Sequence, residues 1–207
     1  RSAAALLALL GGASAAPEPL SVLFVGNSYT FVNDVPALVS NISAAAGLPI
    51  RHAQATPGGA SLFQHANTSL AAGRATLELL RSERWDAVVL QDQSETPGGG
   101  KDTDDGLTPG EGRRRSLAAL RGTFGPLLAR AGSRAVLYQT WGRKVSDPPN
   151  AECCVRPPTL PSSVPTQQPL PLGAQGYSSF ESMSELTAKG YALYAQALSA
   201  AGANTST

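Results

Sequence analysis

Residues 21–30 read Ser21-Val22-Leu23-Phe24-Val25-Gly26-Asn27-Ser28-Tyr29-Thr30. A short apolar run that stops at a glycine, with no polar residues alternating through it, is the pattern of a strand covered on both faces in a parallel sheet. The polar residues that follow then lie beyond the strand's carboxyl end. Downstream, Val35 to Ala46 reads as a helix, opened by Asp34 and Pro36 and closed by Gly47. Pro49 to Ala55 is a second strand, and its polar content places it near an edge. Leu70, Leu77 and Leu80 recur at helical spacing and mark a helix over 69–82. Trp85 to Leu90 is a third strand, the most hydrophobic of the set.

The stretch 95–112 is rich in Gly and Asp and reads as a loop. A helix over 113–131 follows, with Gly122 and Gly125-Pro126 as points where it kinks. Ala135-Val136-Leu137-Tyr138 forms a fourth strand over 134–140, and 177–201 is an amphipathic helix carrying Phe180, Met183, Leu186, Tyr191, Tyr194 and Leu198. Between them an insertion over 143–176 holds eight prolines and no apolar periodicity, as expected of an extended surface segment. Strands alternating with helices predict a three-layer α/β/α sandwich on a flavodoxin-like parallel sheet, one domain over 20–207. Only Gly202 to Thr207 follow the closing helix, so this reading leaves the sheet without its last strand.

The formal charge is +1, with acids and bases mixed along the chain, which argues against a nucleic-acid stripe or a basic membrane-binding face. Arg1, the apolar run Ala3–Leu10 and the small residues up to Ala16 fit a signal peptide over 1–16, cleaved near Ala15 or Ala16. Its 14 residues from Ala3 to Ala16 are too few to span a bilayer. Asn41-Ile42-Ser43, Asn67-Thr68-Ser69 and Asn204-Thr205-Ser206 are N-glycosylation acceptors by pattern, consistent with secretion. The adjacent Cys153 and Cys154 cannot by themselves complete a metal site, and a disulfide between neighbours is strained.

Ligands of an open parallel sheet bind outside the carboxyl ends of the strands, where the winding reverses. With strand order 2-1-3-4 that point lies between the first and third strands. Gly26 to Thr30 follow the first, Gln91-Asp92-Gln93-Ser94 the third, and Thr56-Pro57-Gly58-Gly59-Ala60-Ser61 the second. A serine hydroxyl, flexible backbone amides and carboxamides thereby converge, the inventory of an acyl-transfer site. Each residue also has a plainer reading. Ser28 can cap the helix after it, and Gln91 and Gln93 can satisfy backbone groups at a strand end. Asp92 reads as a solvated loop acid, and Trp141 as a core side chain. His52 belongs on an edge strand. His65, six residues after Gly59, either contacts substrate or serves the structure, with no acid placed to orient it as a base.

In order, the three loops resemble the SGNH/GDSL hydrolase superfamily. Gly26-Asn27-Ser28 is similar to its first block, a Gly-Asp/Asn-Ser stretch after the first strand. Gly58-Gly59 is similar to the second, whose glycine amide donates to an oxyanion. Gln91-Asp92-Gln93-Ser94 stands where a Gly-x-Asn-Asp block falls, but holds no Asn. Branches acting on carbohydrate acetyl groups carry a Gln-Gly-Glu stretch there. The likeness runs over 21–201 outside the insertion and includes Tyr138-Gln139-Thr140-Trp141-Gly142. It implies Ser28 as nucleophile and an oxyanion hole from the Ser28 amide, the Gly59 amide and a side chain of Gln91 or Gln93. Asn27 and His65 would stand within reach of substrate. The resemblance implies no metal and no organic cofactor.

The implied reaction is ester hydrolysis on an O-acyl, in particular a carbohydrate O-acetyl, group. The superfamily's fourth block, Asp-x-x-His after the last strand, has no counterpart before Thr207. Without a base the Ser28 hydroxyl is an ordinary alcohol, so these residues alone are expected to be close to inactive. A carbohydrate-binding relative that has lost the base is the second reading. A flavin or nucleotide module fits less well, because the first loop lacks a phosphate cradle and a nearby Lys.

Overall fold

The computed structural model describes residues 18–99, 110–142 and 180–206. The signal-peptide segment, the proline-rich insertion and Cys153-Cys154 lie outside the described residues. Five parallel strands form one sheet: β1 (Leu20–Val25), β2 (Ile50–Ala55), β3 (Ala87–Leu90), β4 (Arg134–Leu137) and β5 (Asn204–Ser206). Their order, β2-β1-β3-β4-β5, extends the expected 2-1-3-4 winding and keeps β2 at an edge.

The fifth strand corrects the expectation of a sheet lacking its last strand. Asn204, Thr205 and Ser206 pair in register with Arg134, Ala135 and Val136. Three polar residues at an edge carry no apolar signal, which is why the sequence pattern passes over them. Gly202 at φ +85° turns the chain out of the preceding helix, and the Ala203 N–H closes back on Leu198 O at 3.1 Å. This is a glycine-terminated helix end that aims the chain at the sheet.

The helices are α1 (Ser28–Phe31), α2 (Val35–Ala45), α3 (Leu62–His65), α4 (Ala71–Ser82), α5 (Glu111–Ala119), α6 (Gly125–Ala131) and α7 (Phe180–Ala200). A π-helical turn, Leu120–Phe124, joins α5 to α6, with the Gly125 N–H donating to Leu120 O. Proline within a helix loses an N–H and crowds the carbonyl four residues back. The wider π turn immediately before Pro126 is where that helix accommodates it.

Strand-to-strand crossovers are right-handed almost without exception. The step from β1 to β2 runs one way along the sheet, and every later step runs the other way. This puts α2 on one face and α4, α5–α6 and α7 on the opposite face. The core follows that division. Leu23, Val25, Val88, Leu90 and Ala135 are wholly buried and pack with Leu77, Leu120, Phe124, Tyr194 and Leu198, and no α2 residue joins them. On the other face Val22 and Phe24 are buried, while Ala87, Val89 and Val136 are half-buried. Three of the four α2 positions spaced as one apolar stripe, Leu38, Val39 and Ile42, are exposed.

Candidate active site

The winding reverses between β1 and β3, whose last residues, Val25 and Leu90, are register partners. Gly26-Asn27 and Gln91 therefore leave the sheet side by side. Gly26 N donates to Ala55 O at 3.0 Å and Gln91 N to Val25 O at 2.9 Å, so the ladder pins all three loops at their roots. Gly26 is needed here for space. A Cβ on it would sit 2.6 Å from both Gln91 Oε1 and Thr30 Oγ1.

Those oxygens belong to a buried polar knot. Gln91 Oε1 accepts from Asn27 N and from Thr30 Oγ1, each at 2.9 Å, and Gln91 Nε2 donates to Asn27 Oδ1 at 3.0 Å and to Asp92 O. Asn27 Oδ1 also accepts from Tyr29 N at 3.1 Å, capping α1, and Asn27 Nδ2 donates to Ala60 O at 2.8 Å. Asn27 is 2% exposed and Gln91 wholly buried, with every side-chain polar atom occupied. Asn27 and Gln91, expected at the substrate and at the oxyanion, spend these groups within the protein. Both instead bolt the first, second and third loops together, because a carboxamide offers donor and acceptor at once.

What the knot presents to solvent is Ser28 and the glycine turn. Ser28 is half-buried at the first position of α1, and its hydroxyl has no hydrogen-bond partner among the described residues. The Asn27–Ala60 bond sets the 57–60 turn beside it. Ala60 N donates to Pro57 O at 3.3 Å, and Gly59 at φ +72° occupies a conformation that side chains rarely adopt. Gly59 is exposed, and its N–H, like that of Ser28, donates to no described residue. A groove of about 360 Å³ adjoins the turn, lined by Pro57 to Ala60, Gln64 and the start of α4. Gln93 is half-buried: its Oε1 accepts from Glu95 N at 2.7 Å, and its Nε2 bonds to no described residue.

His65 is placed elsewhere than the substrate-contact reading had it. Wholly buried, it bonds Gly26 O at 2.9 Å through Nε2 and Thr76 Oγ1 at 2.7 Å through Nδ1. Burial pushes its pKa down to about 4 despite the Gly26 carbonyl. The ring is then neutral near pH 7, with its proton on Nε2, since a carbonyl only accepts. His65 thus anchors α3 to the loop that carries Ser28. His52 lies exposed on edge strand β2, as expected.

Asp92 is the residue most misread from sequence. It is wholly buried, and its Oδ1 accepts from Leu62 N and Gln93 N, both at 2.8 Å, while Oδ2 accepts from Tyr194 Oη at 2.6 Å. Tyr191 Oη accepts from Asp92 N at 3.2 Å. Burial pushes the Asp92 carboxyl up, against its hydrogen bonds, and raises both tyrosines, helped by the adjacent carboxylate. The available signal was the pair Tyr191 and Tyr194, three apart on the apolar stripe of α7, where their hydroxyls require a partner. Trp141 also departs from expectation. It is half exposed, and its ring centroid stands 4.9 Å from that of Tyr29.

No family model and no curated protein matches the chain. Among solved structures it is similar to a protein described as "a putative SGNH hydrolase" from Slackia heliotrinireducens, at 24% identity and a TM-score of 0.59. That likeness covers 91% of this chain and 78% of the other. A serine at the winding reversal, a glycine turn beside it and a five-stranded parallel sheet beneath are thus arranged on the SGNH hydrolase fold.

Proposed function

We propose that this protein acts as a serine ester hydrolase, with Ser28 as nucleophile and a short O-acyl group on a carbohydrate as substrate. The carrying observation is Ser28 itself: a half-buried, unengaged hydroxyl beyond β1, with its own backbone N–H unused and the 57–60 turn, whose Gly59 N–H no described residue uses, tied to the preceding Asn27. In the reaction Oγ attacks the ester carbonyl. The Ser28 and Gly59 amides hold the resulting oxyanion, with Gln93 Nε2 as the side-chain donor that remains once Gln91 is accounted for. Collapse expels the alcohol and leaves an acyl-serine, and water attacks that carbonyl to release the acid and restore Oγ–H. The three exposed acceptor asparagines, Asn41, Asn67 and Asn204, support placing the protein in the secretory pathway.

A general base must take the Ser28 proton. Neither histidine among the 207 residues serves, because His65 is buried with both nitrogens engaged and His52, opposite Val22, lies three residues below the carboxyl end of β2. A carbohydrate-binding relative without a base is the second reading. Hydrolysis of p-nitrophenyl acetate by the expressed protein and its Ser28→Ala variant separates them. A loss of roughly 10³-fold or more in the variant supports the esterase. With a base supplied by an Asp-x-x-His block after β5, equal rates in both, at the background level, leave the binder.

A further inference from the structure

We infer that Trp141 and Tyr29 form a stacking platform for a pyranose ring in the alcohol half of the substrate, a reading that rests on the ester-hydrolase proposal. Tyr29 is the residue after Ser28, so a ring held on this pair lies next to the nucleophile. The two aromatic planes are tilted by 57° with centroids 4.9 Å apart. Trp141 leaves half of its surface open, whereas Trp85 is 2% exposed, with its indole N–H on Leu79 O.

The platform is held from several sides. Tyr138 Oη donates to Tyr29 O at 3.4 Å, tying the end of β4 to α1. The Gly142 N–H donates to Ser184 Oγ on α7 at 3.0 Å, fixing the chain immediately after Trp141. With the backbone beside both rings held and the two rings in contact, less freedom is lost when a ligand settles on them, so contact converts more efficiently into affinity.

The surroundings select the ligand. An apolar acyl chain is stabilised by enclosure, and a half-open ring among polar groups does not enclose it. Two residues before Trp141 is the exposed Gln139, while the Tyr138 hydroxyl meets the backbone of Tyr29, the residue after Ser28. A pyranose matches both features: one face of C–H groups for the indole and a rim of hydroxyls that stay in water or meet polar side chains. Stacking the sugar there leaves a rim O-acyl group free to reach Ser28.

Intrinsic fluorescence tests this on the whole protein, since Trp141 is the accessible one of its two tryptophans. Titration with partially O-acetylated xylotetraose should change the emission saturably and shield it from iodide, in wild type and Ser28→Ala alike. Trp141→Ala should weaken binding of that oligosaccharide, measured by calorimetry, by roughly three- to ten-fold, with Trp141→Phe close to wild type. Unchanged emission at millimolar oligosaccharide, or undiminished affinity in Trp141→Ala, overturns the platform. Equal losses for the oligosaccharide and p-nitrophenyl acetate also overturn it, by showing that the pair reads an aromatic leaving group. If Ser28→Ala hydrolyses as wild type does while stacking persists, the esterase reading fails and the platform stands.

Discussion

Val88 and Val89 are neighbours in β3, yet one is wholly buried and the other half open. The same contrast separates Ala135 from Val136 in β4. Successive side chains of a strand point to opposite faces, so each pair samples the two layers flanking the sheet. One layer, built from α3 to α7, supplies nearly the whole apolar core and the buried groups beneath the candidate site, His65, Thr76 and Tyr194 among them. The other layer is α2, with its exposed Leu38, Val39 and Ile42. Because only one connection winds toward β2, right-handed crossovers leave α2, with the one-turn α1 before it in the same connection, apart from the other described helices. The stiff floor under Ser28 is therefore built from one side.

The largest effect should come from truncating the covered face. Leu90→Ala is expected to remove about 3–4 kcal/mol of stability, because a close-packed site collapses poorly around a cavity. Val89→Ala, one residue back on the other face, should cost about 1 kcal/mol. Urea midpoints of the two variants measure the difference. Equal losses would break the comparison and mean that the open face is packed as tightly as the other.

A somewhat smaller effect belongs to His65, the polar member of the covered layer. Its folded pKa of about 4 lies below the ordinary 6.5, so folding favours the neutral ring. The stability this gives is complete above about pH 6.5 and is lost as the pH falls toward 4, by up to about 3 kcal/mol. Denaturation midpoints measured from pH 7 down to pH 4 should fall in wild type more steeply than in His65→Gln, which cannot titrate. Parallel slopes would show that His65 titrates as it does in the unfolded chain.

The order of the first four strands, the four longer helical segments and the position of Ser28 were legible because they rest on short-range pattern, while the one-turn α1 and α3 are too short to carry one. Val22 to Val25 reads as a buried strand wherever it occurs, and Gly26-Asn27-Ser28 follows it by adjacency. Residues whose roles depend on partners far along the chain were not legible. Asp92 reads as a solvated acid until α7 brings Tyr194 to it from 102 residues away. Asn27 and Gln91, 64 apart, look like ligand-binding carboxamides until each is found to consume the other. Trp141 fails in the opposite direction, since composition favours a tryptophan inside and the end of β4 leaves this one at the rim. Strand β5 escaped because register with β4, not hydrophobicity, makes Asn204 to Ser206 a strand.

The smallest effect offers the finest test of the asymmetry. Ile42 is 63% exposed at the C-terminal end of the α2 stripe. Replacing it with Lys keeps the helix, since both residues are tolerated there, and keeps the Asn41-x-Ser43 acceptor pattern. With the stripe facing water, Ile42→Lys should alter stability by no more than about 0.5 kcal/mol. Its sedimentation should match wild type. A loss above about 2 kcal/mol would require an apolar partner over Ile42, because only a buried lysine is so costly. The covering group would then have to reach α2 from outside the described residues, since among these the helices that could do so lie across the sheet. A change in sedimentation alongside that loss would identify the group as a second copy of the chain. An unchanged value would assign it to the same chain, and the floor under Ser28 would then be braced from both sides.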